Sequence, residues 1–166
     1  ALLSAKEIAE RNGFHLVHAI IDCLWLKKEG ATHQDYAYLG EEIKQTVGVS
    51  LSLEGIYNWI LFPGSKTDPD LPTAGKYVGW YSHGEKKMRG IEARRKDTPP
   101  YIKEAQIELL TMLSGARSVR DVESAVPELL RETAFHLQEL RRGRVHPREL
   151  ILRRRVQKEA DAYQHQ

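Results

Sequence analysis

The residues best placed for chemistry are Asp22, standing almost alone among hydrophobes in His18-Ala19-Ile20-Ile21-Asp22-Cys23, and a basic run from Lys86 to Pro100. A carboxylate flanked by Ile20, Ile21, Leu24 and Trp25 is costly to desolvate unless it is paired, hydrogen-bonded or bound to a metal. The bland alternative is an Asp at a strand end, solvated at a cleft edge. The basic run sets Lys86, Lys87, Arg89, Arg94, Arg95 and Lys96 around Gly90. Cations at that density suit a polyanion, because each neutralised phosphate releases condensed counterions. A solvated charged strand is the competing explanation. Lys76 and Tyr77 add a cation and a ring that suit a phosphate and a base, although Tyr77, Trp80 and Tyr81 also read as hairpin packing. His15, His18 and Asp22 have a spacing that on a helix would suggest a metal site, but a strand pattern puts the two histidines on opposite faces.

Charge separates the two halves of the 166-residue chain. Residues 1–85 hold seven Lys/Arg against eleven Asp/Glu, net −4, and residues 86–166 hold eighteen against twelve, net +6. An anionic partner therefore belongs with the second half. A hydrophobic content of 41% with 29% charged residues is that of a globular protein, not a disordered one. Cys23 is the one cysteine, which excludes an intrachain disulfide and fits a reducing, cytoplasmic setting. No apolar stretch is long enough to span a membrane, and no secretory leader is recognisable. The chain begins in mid-helix pattern, as a piece of something longer would.

Positioning these residues requires the following elements. A helix of about two turns is expected from a Ser4/Glu7 capping box to Asn12-Gly13. Phe14 to Leu26 is apolar on both faces and reads as one central strand, with Asp22 inside it. Gln34 to Val47 reads as a helix stopped by Gly48, Leu51 to Phe62 as one bent strand or two short ones, and Pro63 to Thr73 as a loop. Residues 76–81 and 88–93 form a hairpin turning near His83-Gly84. Thr98 caps a helix over about 99–114. Ser118/Asp121 starts a short one, and Pro127 starts a third with Leu130, Ala134, Leu137 and Leu140 as its buried stripe. Arg141, Arg142 and Arg144 suit a helix C-terminus or a duplex, and Arg153-Arg154-Arg155 is the cationic block of the tail.

The order of these parts resembles family-B DNA polymerases of archaeal type, over nearly the whole chain. The family's Arg-Gly-(Leu/Ile)-Glu, two variable positions, a basic pair and Asp are matched by Arg89-Gly90-Ile91-Glu92, Ala93-Arg94, Arg95-Lys96 and Asp97. Its metal-binding Tyr-Gly-Asp-Thr-Asp-Ser corresponds to His18 through Cys23, where the second aspartate survives as Asp22 while Ile20 and His18 replace the first acid and the tyrosine. Its Lys-Lys-(Arg/Lys)-Tyr motif corresponds to Ala74-Gly75-Lys76-Tyr77, without the two leading lysines.

The resemblance implies an α+β fold: a palm-type antiparallel sheet with one or two helices over 1–98, then a small helical thumb over 99–166. It implies Asp22 as a Mg²⁺ ligand and candidate catalytic carboxylate, sharing the ion with carboxylates outside this chain. It also implies Lys76, Tyr77, Arg89, Arg94, Arg95 and Lys96 as contacts to double-stranded primer-template DNA, with the nucleotide bound by the rest of the polymerase. One Asp cannot hold the two metal ions of nucleotidyl transfer, so the chain by itself is expected to be inactive. Two rivals remain: a non-catalytic polymerase relative that binds DNA or supports assembly, and a helical protein-interaction module.

Overall fold

A computed structural model describes residues 1–153. It divides into two compact units, Ala1–Ile56 and Tyr57 onward. The second unit holds both a sheet and the helices that follow it.

The first unit contains α1 (Leu2–Arg11), β1 (His15–Ile20), β2 (Cys23–Lys27) and α2 (His33–Val47). Helix α1 starts ahead of Ser4, with Ala1 at its N-cap and no side-chain cap there. Helix α2 has a full capping box: the Asp35 N–H donates to Thr32 Oγ1 at 3.3 Å, and Asp35 Oδ2 accepts from the Thr32 N–H at 2.7 Å. Gly48, in the left-handed region, closes it. Ala5, Ile8 and Ala9 of α1 meet Phe14, Leu39 and Ile43 in one buried cluster.

The single strand expected over 14–26 is instead an antiparallel hairpin. Ile20 pairs with Cys23, so Ile21-Asp22 is a two-residue turn and Asp22 is exposed at its tip. The sequence hides this turn because its first residue, Ile21, is β-branched, whereas such turns favour Gly, Asn or Asp there. Ile21 has φ 43° and is 90% exposed, a backbone conformation that a β-branched side chain resists. Ile21→Asn, which tolerates that conformation and sacrifices no burial, is expected to stabilise the first unit by about 1 kcal/mol. Thermal unfolding followed by circular dichroism checks it, and an unchanged or lower midpoint would refute it.

The second unit contains β3 (Tyr57–Leu61), β4 (Tyr77–Tyr81), β5 (Lys86–Arg89), α3 (Pro100–Thr111) and α4 (Val119–Arg141). The strands form an antiparallel sheet in the order β3-β4-β5 with β4 buried along its whole length. Trp59, Val78 and Trp80 of this sheet form a core with Leu113 and Ala116, against which Leu110, Val122, Ala125 and Leu129 pack. Two separate antiparallel sheets with four α-helices make the described residues α+β.

Three sequence expectations are corrected here. Residues 51–56 are not strand. Helix α3 has Pro99, not Thr98, at its N-cap and ends at Thr111. The two helices expected over 118–142 are one, started by the Ser118/Asp121 capping box and with Pro127 inside it. In this one helix Val122, Ala125 and Leu129 turn inward, which leaves Leu130, Ala134 and Leu137 of the expected stripe exposed and Leu140 half-buried. Among the described residues no helix is long and apolar enough to cross a membrane.

Candidate nucleic-acid interface

The basic run is built on β5 and the turn that follows it. Pairing with β4 in the register Trp80↔Lys86, Gly79↔Lys87, Val78↔Met88 and Tyr77↔Arg89 puts Met88 and Lys86 on the face of Val78 and Trp80, where Met88 packs on the core and Lys86 at the strand end stays exposed, and puts Arg89 exposed on the other face. Lys86 Nζ stands 5.8 Å from the centroid of the Trp80 ring. Gly90 then reverses the chain at φ 65°, and its α-carbon passes so close to Gly75 that a Cβ would lie 2.3 Å from the Gly75 carbonyl oxygen. Ile91 is buried, and Glu92–Arg94 forms one turn of 3₁₀ helix in place of the expected extended strand.

Glu92, the acid of the Arg-Gly-Ile-Glu motif, braces this turn. Its carboxylate accepts from Lys76 Nζ at 3.1 Å and from Gln106 Nε2 at 3.3 Å, while Gln106 Oε1 accepts the Ala93 N–H at 2.6 Å. The bond from its own backbone N–H, with those from Lys76 and Gln106, holds the Glu92 carboxyl below the usual carboxylate range against the opposing effect of burial. A lowered folded value means that this stabilisation is present above the ordinary carboxylate range and is lost as pH falls through the lowered one. The sequence offered Glu92 as part of a signature but gave no sign of this bracing, and nothing in it singled out Gln106.

The candidate residues have different fates. Arg89, Arg94 and Lys96 are exposed. Arg95 is exposed as well but engages Asp97 in a fork, Nε to Oδ1 at 3.0 Å and Nη2 to Oδ2 at 2.7 Å. Lys76 is tied to Glu92. Tyr77 is buried at 2% exposure, its ring 5.9 Å from that of Phe62. Asp22 belongs to the first unit, where Cys23 Sγ donates to its Oδ1 at 3.5 Å. The costly desolvation expected for Asp22 does not arise, because the turn exposes it. Arg141 and Arg142 are exposed at the end of α4, and Arg144 Nη1 donates to Glu139 Oε1 at 3.1 Å. Arg154 and Arg155 lie outside the described residues.

These residues do not by themselves fit a two-metal centre, which needs carboxylates clamping both ions. Among the described residues Asp22 belongs to no group of three or more possible ligands.

The model of DNA polymerase family B matches residues 7–166. The chain belongs to that family. It is 20% identical over 161 residues to the DNA polymerase of Archaeoglobus fulgidus, covering 97% of this chain and 19% of that protein. It is 24% identical over 155 residues to DNA polymerase 1 of Sulfolobus acidocaldarius, covering 93% of this chain and 17% of that one. Among solved structures it shares the fold of the family B DNA polymerase from the hyperthermophilic archaeon Pyrobaculum calidifontis, with a TM-score of 0.61 and 23% identity over 99% of this chain and 19% of the other. The chain therefore spans about a fifth of the length of these family-B relatives.

Proposed function

We propose that this family-B chain holds duplex primer-template DNA as the palm and thumb portion of a template-directed polymerase, with the palm to about residue 98 and the thumb beyond it. The observation that carries this reading is the placement of Arg89, Arg94 and Lys96 as exposed cations around the braced turn of the Arg-Gly-Ile-Glu motif. Such cations meet phosphates without reading bases. Arg95 joins them from its Asp97 fork, while Lys76 and Tyr77 act by fixing the strand and the turn on which the others stand. In the longer protein Asp22 contributes one carboxylate to Mg²⁺-dependent nucleotidyl transfer, and the chain alone does not synthesise DNA. The setting is intracellular.

The test is binding of the chain to a double-stranded oligonucleotide across a salt series. With about four phosphates neutralised, log affinity falls against log salt with a slope of about −3.6. Replacing Arg89, Arg94 and Lys96 together by Ala makes that slope shallower by about 2.7 and weakens binding to all sequences alike. A flat response in the parent chain would instead favour a protein-interaction module. A second polymerase reading, a non-catalytic relative serving DNA binding or assembly, is favoured by Ile20 at the first acid position. Nucleotide incorporation by the longer protein separates the two, since Asp22→Ala abolishes it only in the catalytic case.

A further inference from the structure

Helices α3 and α4 bring together three groups that the DNA reading does not use. Glu132 and His136 are four residues apart on one face of α4, and Glu108 approaches them from α3. His136 Nε2 lies 3.4 Å from Glu108 Oε2 and 3.7 Å from Glu132 Oε1, and the ligand atoms of all three lie within 4.8 Å of one another. The imidazole is well shielded, its side chain 13% exposed, and Nε2 itself is buried with no hydrogen-bond partner. A buried ring nitrogen facing two carboxylates at distances too long for good hydrogen bonds marks a position for a cation.

The other side of the ring fixes which nitrogen is available. Tyr101 Oη is 3.0 Å from His136 Nδ1 and 3.3 Å from the His136 carbonyl oxygen, to which its hydroxyl donates. A hydroxyl that spends its proton on the carbonyl accepts from Nδ1–H, which leaves the lone pair on Nε2, pointing at Glu108 and Glu132. A tetrahedral zinc ion with bonds of about 2.0–2.1 Å separates its ligand atoms by about 3.3 Å, close to the spacing found at Nε2.

The geometry points to a divalent metal site, selective for zinc over magnesium, formed by Glu108, Glu132 and His136 and joining α3 to α4. Nitrogen ligation and tetrahedral spacing favour zinc, whereas magnesium demands octahedral oxygen ligands and keeps its waters. Glu108 is 59% exposed on its side chain, so the remaining coordination position opens to water and the ion has an entry path.

Calorimetric titration of the chain with zinc alone is expected to show one ion bound with a Kd on the order of 1 μM, weaker than a four-ligand structural site. Magnesium in large excess does not displace it. Glu108→Gln, an exposed change that leaves packing intact, and His136→Gln each weaken binding at least about tenfold. His15→Gln, in the other unit, leaves it unchanged. Zinc at a hundredfold excess over Kd raises the midpoint of thermal unfolding by about 5–10 °C in the parent chain and not in Glu108→Gln. No binding, or equal zinc affinity in the parent and Glu108→Gln chains, would overturn the site. Loss of zinc on replacing His15 alone would overturn it too.

Discussion

Gly90→Ala is expected to destabilise the second unit by at least about 2 kcal/mol and to abolish its ordered turn over 92–94. Two costs combine at this position. The backbone stands at φ 65°, and an added Cβ would meet the Gly75 carbonyl oxygen at 2.3 Å, an approach that backbone cannot yield without breaking the run into β4. The control is Gly143→Ala, at a similar φ of 67° but with open space where its Cβ would stand, which costs only about 1 kcal/mol. Urea unfolding of the two variants separates close approach from conformation. Equal losses would show that the Gly75 contact carries no energy. On the proposed DNA-holding role, the turn presents Arg94 to solvent, so Gly90→Ala is also expected to weaken duplex binding more than removal of Arg89, Arg94 or Lys96 singly.

Trp80→Ala carries the other large effect. Trp80 lies on the central strand β4 at 4% exposure, stacked on Trp59 with ring centroids 5.5 Å apart. Its removal leaves a cavity between the sheet and the helical residues packed on it, at a cost of about 3–5 kcal/mol. Against a total of about 5–15 kcal/mol for an ordinary domain, the second unit would sit near its unfolding threshold at room temperature. Leu137→Ala, on a residue 49% exposed, is expected to change stability by less than about 0.5 kcal/mol. The pair tests the phase of α4 as well as the core, since the sequence pattern placed Leu137 inside. A loss of several kcal/mol at Leu137 would restore that pattern.

What could be read from the sequence followed from signals with a local physical cause. Ser118/Asp121 and Gly48 mark the helix ends at which they stand, because caps act through bonds within one turn. The β4/β5 hairpin and the Arg-Gly-Ile-Glu motif were legible through turn residues and motif spacing. The hairpin tip at Ile21-Asp22 was not, because the turn uses a β-branched residue where turn chemistry predicts Gly or Asn. The phase of α4 failed because Pro127 reads as a helix start, whereas packing carries the helix through it. That same error hid His136, whose partners Glu108 and Tyr101 come from a different helix and share no sequence spacing with it. Glu92 as a brace was equally out of reach, since Lys76 and Gln106 meet it only after the chain has folded back.

Pro127 gives α4 a built-in flexure. Lacking an N–H, it cannot complete the helical bond to the carbonyl of Glu123, and its ring crowds that turn. Val122 and Ala125, which pack against the sheet core, lie before the gap and Leu129, which packs there too, lies just beyond it, with Glu132 and His136 further along. The interrupted turn therefore falls inside the stretch of α4 that packs on the sheet, between Ala125 and Leu129, so any bend there moves the helix against Trp80 and its neighbours.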